Sequence, residues 1–213
     1  MFYDPRSQDH GLPHNPWMAL VAPRPIAWVS TVSISGVPNL APFSSYNTLS
    51  ASPPFLMFSA NAEKDTVRNI RDTGVFVVNV STGPLAEQMN ASSADFAPDV
   101  DEFRIVGLDT APCRSIDCVR IAAAPAAIEC RLSEIVSLTP STGASCSARV
   151  IIGEAVGIHI DESVLRDGRV DPALLKPLSR LGYMDYAVVD KTFEIMRPAK
   201  PGASPNPETE TAR

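Results

Sequence analysis

The 213-residue chain lacks most of the features that announce a chemistry. Its four cysteines, Cys113, Cys118, Cys130 and Cys146, form no C-x-x-C pair and no zinc-ligand spacing. A chain of this size with 45% hydrophobic residues needs no covalent staples, so free thiols are expected, Cys113 and Cys118 sharing one loop. Histidine is scarce: His10 and His14 stand four apart, but Gly11 and Pro13 between them break the helix that would align them, and no metal is expected. No apolar run approaches the ~20 residues that span a bilayer. The opening MFYDPRSQDHGLPHNPW has no basic segment followed by an apolar one, which sets the expectation of a cytoplasmic protein. A net charge of −6 without any Lys/Arg cluster argues against a nucleic-acid surface. No internal repeat occurs, no G-x-G-x-x-G follows a strand, and no G-x-S-x-G elbow is present. There is therefore no Rossmann unit, and a triad hydrolase is poorly supported.

What is present is concentrated between Pro23 and Ser59, PRPIAWVSTVSISGVPNLAPFSSYNTLSASPPFLMFS. Ile26, Trp28, Val32 and Ile34 alternate as on one face of a strand, with Ala27, Val29, Thr31 and Ser33 on the other. Ser35, Gly36 and Pro38 supply a turn. A second extended run is expected from Asn39 to Leu49, ended by Pro53 and Pro54, then a short apolar strand, Phe55 to Phe58. Ser30, Thr31, Ser33, Asn39, Ser44, Ser45, Asn47 and Thr48 crowd this region with polar groups. Each costs on the order of 1–3 kcal/mol if buried without a partner. Either they bond neighbouring backbone and pair across strands, or they line a pocket for a polar, planar, phosphorylated ligand.

The next segment favours the pocket. Lys64-Asp65-Thr66 leads into a short helix that Asp65 or Thr66 caps and Thr73-Gly74 stops. A lysine and a hydroxyl at a helix N-terminus suit a phosphate. Strands follow at 75–80, 126–138 and 149–161, a helix at 84–90, and a last strand at 188–196. Gly153 and Gly157 inside the 149–161 strand mark a bulge or a close approach. Trp17 to Val21 are expected to cover one end of the fold.

The segments PRPIAWVSTVSISGVPNLAPFS, SPPFLMFS, KDTVRNI with TGVFVVNV, IIGEAVGIHID and DGRVDPALLKPLSRLGY resemble, in order and spacing, the flavin reductase-like family of FMN-binding split barrels. The resemblance spans about residues 20 to 197. Related sequences read R-L-G-G followed by Tyr, whereas here Tyr183 replaces the second Gly and Tyr186 matches the family Tyr.

The resemblance implies a mostly β fold, an FMN-binding split β-barrel (Greek key) with a few short helices. It implies an irregular arm at 1–22, the barrel domain at 23–197 and a disordered tail at 198–213. Backbone groups of Asn39, Ala41, Pro42, Ser44 and Ser45 would edge a flavin ring, with Asn47 beside them. Ser30 and Thr31 would reach the ribityl chain or phosphate, and Lys64, Asp65 and Thr66 would hold the phosphate. His159 would face the nicotinamide side as the one catalytic residue. The implied activity is an NAD(P)H-dependent flavin reductase passing hydride to flavin N5, with FMN or FAD as cofactor. A homodimer serving a partner monooxygenase or other electron acceptor is expected. The alternatives are a flavoredoxin-type carrier that retains FMN and a catalytically silent flavin- or haem-binding barrel.

Overall fold

The computed structural model describes residues 1–98, 100–196 and 198. Apart from Pro198, the tail expected to be disordered lies outside the described residues. Seven strands form one antiparallel sheet: β1 (Ala27–Val32), β2 (Pro38–Phe43), β3 (Tyr46–Ala51), β4 (Pro54–Ala60), β5 (Val75–Val80), β6 (Ala126–Ser137) and β7 (Arg149–Ile160). Their order is β2-β1-β5-β6-β7-β4-β3.

That order forces closure. In a flat sheet the edge strands β2 and β3 would lie six spacings apart, roughly 29 Å. Only Ser44 and Ser45 join them, and the step from Phe43 to Tyr46 reaches at most about 11 Å. The sheet must roll up, and the Ser59 N–H donates to the Ser45 carbonyl at 2.9 Å, extending the β3–β4 ladder back to the seam. The run expected from Asn39 to Leu49 is thus two strands that cross the seam at two serines. Residue 54 begins β4 rather than ending a strand.

β1 is buried on both faces. Ala27 and Val29 point into the barrel with Leu56, Phe58, Phe76, Val78 and Ile151. Ile26 and Trp28 face an outer core of Leu40, Met89, Phe103 and Ile121. Ile34, expected in the strand face, sits at the hairpin tip and is 81% exposed. Helix α1 (Asp65–Thr73) sends Val67 and Ile70 into the barrel core. Gly74 ends it at φ 73°, its N–H bonded to the Ile70 carbonyl, as the Thr73-Gly74 signal predicts. Neither Asp65 nor Thr66 caps it: Lys64 occupies the N-cap position and no side chain accepts from the first turn.

The two strand glycines mark register shifts, at Ile152/Gly153 and Ala155/Gly157. A side chain at 153 would strike the Phe76 ring, whereas one at 157 would crowd the Ser115 hydroxyl at 3.1 Å and the Glu129 carboxyl at 3.2 Å. Helices α2 (Ala86–Ala91) and α3 (Glu102–Ile105) cover the outer core.

The arm at 1–22 contains one helical turn, Trp17–Leu20. It does not cover the barrel end: Trp17 is 54% and Leu20 73% exposed, and Ala19 packs instead on Gly182. The last strand is Tyr186–Val188, paired to Leu178–Arg180. The strand expected over 188–196 does not extend beyond Val188, and Phe193 and Ile195 stand exposed. No helix among the described residues is long and apolar enough to cross a membrane.

Candidate ligand cleft

A two-lobed cleft lies outside the edge strand β2. The first lobe, about 120 Å³, is lined by Asn39, Ala41, Pro42, Lys64, Asp65, Thr66, Glu102 and the 92–96 loop. β2 lends itself to this because it is an edge. Its Leu40 N–H, which points away from β1, is satisfied by the Glu102 carboxylate at 3.1 Å. Pro38 and Pro42 share the parity of Leu40, so their missing N–H groups fall at outward positions where no ladder partner exists.

α1 is seated on the same wall by side chains. Asn39 donates to the Thr66 hydroxyl at 2.9 Å, and Asn69 to Thr31 at 3.1 Å. No N-cap side chain closes α1, and its N-terminal residues Lys64, Asp65 and Thr66 line the lobe. Lys64 stands at that N-terminus and pairs with Asp95 at 2.5 Å, both side chains being half-exposed or more. Lys64 holds the Asp95 carboxyl below its ordinary range. Asp65 is engaged by Arg68 at 2.7 Å. Burial pushes the Glu102 carboxyl above its ordinary range, against the pull of its backbone hydrogen bonds. The 92–96 loop is anchored through Trp28, whose indole N–H donates to the Ser92 hydroxyl at 2.9 Å.

The second lobe, about 440 Å³, shares Pro42 and Ser93 with the first. Ser44, Met18, Met89, Asn90, Arg24, Arg180 and Tyr186 line it. Arg24 is 8% exposed. It donates to the carbonyls of Met18, Val21 and Leu181, which ties the N-terminal arm to the 178–183 turn. Arg180 lies 4.4 Å over the Tyr186 ring and donates to the Tyr183 carbonyl. Tyr183 holds φ at 55°, a left-handed conformation that glycine adopts freely. The family pattern's second glycine thus falls on a position where this chain bears a strained tyrosine.

The cleft gathers Asn39, Ala41, Pro42, Ser44, Lys64, Asp65 and Thr66. The other named residues are elsewhere. Ser30 is fully buried, donates to the Val119 carbonyl at 2.7 Å and accepts from Asn79 at 3.1 Å. Thr31 is fully buried beneath α1. Both hydroxyls are bonded within the core, away from the residues that line the cleft. The Ser45 carbonyl is spent on β4, accepting from the Ser59 N–H. Asn47 lies exposed on β3 and accepts from the Thr48 N–H.

His159 lies far from the cleft. A row of directly paired residues runs Pro42, Trp28, Asn79, Ala127, His159 across five strands. Four spacings separate its ends by on the order of 19 Å along the sheet. His159 lines a separate pocket of about 350 Å³ with Arg114, Arg120 and Asp161. Its Nε2 is 2.5 Å from Oε1 of the fully buried Glu129. The N–H groups of Arg114 and Ser115 each donate to that carboxylate at 2.7 Å. Burial raises the Glu129 carboxyl, but the hydrogen bonds from Arg114, His159 and Ser115 outweigh it and leave a net lowering.

Sequence reasoning missed Glu102, Arg24 and Glu129. A carboxylate within a polar loop and an arginine between two prolines carry no local signal of burial. Glu129 interrupts an alternating strand at a position that reads as solvated, and only the facing Gly157 hints that something large fills the gap.

Residues 18–186 match the family described as "Flavin reductase like domain". The uncharacterized protein YwrF of Bacillus subtilis is 36% identical over 185 residues, covering 84% of this chain and 90% of its own. Nitrilotriacetate monooxygenase component B from Bacillus cereus superposes with a TM-score of 0.84 at 29% identity, over 92% of this chain and 98% of its own. Pseudomonas fluorescens 2-nitrobenzoate 2-nitroreductase gives a TM-score of 0.76 at 31% identity, over 89% and 94%.

Proposed function

The chain belongs to the flavin reductase-like domain family, and from that premise we propose that it binds FMN in the cleft outside β2 and acts as an NAD(P)H-dependent flavin reductase. The observation that carries this is the pairing of a lysine with an uncapped helix N-terminus, opening into a larger lobe with apolar walls. The residues present fit the group. Lys64, the Thr66 hydroxyl and the α1 N–H groups supply cationic and neutral donors for a phosphate. Ala41 to Ser44 offer an edge-strand backbone along which a planar ring can lie, and the second lobe has the size of a small-molecule site.

FMN, when bound, supplies the hydride chemistry at N5. The chain's own part is to bind, orient and exclude water. Lys64 exchanges the exposed Asp95 for phosphate, a swap that costs little because exposed ion pairs contribute only about 0–1 kcal/mol. Asn39 fixes the Thr66 hydroxyl, leaving its proton free to donate. The indole of Trp28, through Ser92, holds the loop that walls the first lobe. His159 enters the reaction only through a second subunit, since its own cleft is on the far side of the barrel. We therefore include a homodimer in the reading, with a monooxygenase or other acceptor as the consumer of reduced flavin.

Titrating FMN by quenching of its fluorescence should show saturable binding. Lys64→Ala should weaken it about tenfold, the lower end of a charge-assisted hydrogen bond's contribution because Lys64 is half-exposed. Anaerobic mixing of the loaded protein with NADH or NADPH should bleach the yellow absorbance. Unchanged FMN affinity in Lys64→Ala would remove the phosphate assignment. Bleaching by neither donor would move the reading to an electron carrier.

A further inference from the structure

The pocket beside His159 lies across the barrel from the flavin cleft and holds two arginines that the fold does not use. Elsewhere the chain engages its guanidiniums: Arg68, Arg71 and Arg166 pair with carboxylates, and Arg24, Arg131 and Arg149 donate to carbonyls. Among the described residues, the Arg114 and Arg120 side chains meet neither a carboxylate nor a carbonyl. Arg120 is half-buried, because Val119 and Ile121 turn into the outer core and alternation carries Arg120 to the opposite face. Its Nε is shut off from solvent without an acceptor, so a counter-charge can reach only the terminal nitrogens. Holding a cation there without one is costly, and the cost falls when an anion enters beside it.

The neighbouring groups leave room for that anion. His159 turns its Nε2 to Glu129, which leaves Nδ1 without a protein partner, and the Glu129 carboxylate is satisfied by its three donors. Asp161 is exposed and accepts from the Ser163 N–H at 2.8 Å. Two free guanidiniums therefore stand against one exposed aspartate. Ala122, Ala124 and Pro125 add small walls whose side chains carry neither donors nor acceptors. The arginines come from separate elements, the loop after Pro112 and the Val119–Ile121 strand, so each can serve a different phosphoryl group, whereas a single guanidinium fork is enough for a carboxylate. At about 350 Å³ the pocket is at the small end of ligand sites, the size for a charged linker rather than a whole dinucleotide.

We propose that the Arg114–Arg120 pocket is a diphosphate-binding site, with one guanidinium on each phosphoryl group. Its role rests on the reading above. With His159 turned to the flavin of a second subunit, the diphosphate seated beside it is that of the nicotinamide donor, and the site serves NADH and NADPH alike. The binding itself does not rest on that reading, because the pocket shares no residue with the flavin cleft.

The test is isothermal titration of the full chain, without and with saturating FMN, by ADP, AMP and adenosine in metal-free buffer. ADP should bind at least tenfold more tightly than adenosine, with AMP between them. Arg120→Gln should cut ADP affinity about tenfold, and so should Arg114→Gln, whose exposed position reads the site without touching the core. Lys64→Ala, which removes the cation of the flavin cleft, should change ADP affinity less than twofold. In steady-state turnover Arg120→Gln should raise KM for NADH and NADPH several-fold with kcat kept, shrinking their advantage over a dihydronicotinamide donor that carries no phosphate. ADP binding no tighter than adenosine, or an ADP site lost in Lys64→Ala and kept in Arg120→Gln and Arg114→Gln, overturns the proposal. AMP binding as tightly as ADP overturns the diphosphate assignment. Arginine-dependent ADP binding with unchanged KM for both donors overturns the assigned role. Failure of FMN to bind while ADP still discriminates overturns the flavin reading and leaves this site standing.

Discussion

Glu129 offers the sharpest structural prediction, because a wholly buried carboxylate serves three donors. Glu129→Ala removes the acceptor from two backbone N–H groups at once, those of Arg114 and Ser115. Each unsatisfied buried donor costs on the order of 1–3 kcal/mol. Both donor residues are otherwise exposed, so water recovers part of the loss, and about 2–4 kcal/mol remains. At about 2–4 °C per kcal/mol for a domain of this size, the melting temperature should fall by roughly 4–16 °C. Glu129→Gln keeps the volume and one carbonyl acceptor, and should lose about half as much.

The pH dependence fixes the cause. The folded-state carboxyl sits below its unfolded value, so its contribution is complete above the unfolded value and lost as pH falls through the folded one. The carboxyl's share of the gap between wild type and Glu129→Gln should be complete above the ordinary carboxylate range and shrink as pH falls through and below it. Thermal unfolding followed by circular dichroism measures both. A Glu129→Ala variant that melts within a degree of wild type, or a gap that still widens as pH falls below the carboxylate range, refutes the reasoning.

Gly153→Ala places a methyl group against Cζ of Phe76 and 2.7 Å from its Cε1 in a filled core, and should destabilise by about 1–3 kcal/mol, read from the urea midpoint. Asp95→Ala frees Lys64 from its exposed partner and should tighten FMN binding by a few-fold in the same titration, with no loss of thermal stability. Burial pushes the Cys113 and Cys118 thiols up to about 12 and raises Cys130 further, so a thiol reagent at pH 8 should modify Cys146 well before the other three. Rapid modification of Cys113 would show that its loop opens.

Most of the architecture was legible because period-two alternation and turn residues report directly on strands. β1, β5, β6 and β7 follow from their apolar spacing, and α1 from the Lys64 to Gly74 stretch. The two-serine seam between β2 and β3 was not legible, since serine carries no obligatory turn geometry and the crossing is dictated by the rolled sheet. The cleft was half legible. Lys64, Thr66 and the β2 residues are near neighbours through one hairpin and one helix start, so local sequence order brings them together. For Ser30 and Thr31 the sequence does not discriminate, because a hydroxyl in a strand looks the same whether it bonds a ligand or, as here, Val119 and Asn69. The second lobe was invisible, because Arg24 and Arg180 meet across more than 150 residues through carbonyls that no side-chain pattern announces.

The central claim is that a phosphate-bearing flavin seats its anionic end on Lys64 and the open turn of α1. Comparing the affinities of the wild-type protein for FMN and for riboflavin, which differ only in that phosphate, tests it most directly. The structure predicts FMN to bind at least tenfold more tightly, with the preference shrinking as salt rises. Equal affinities, or a preference that salt leaves untouched, would contradict it.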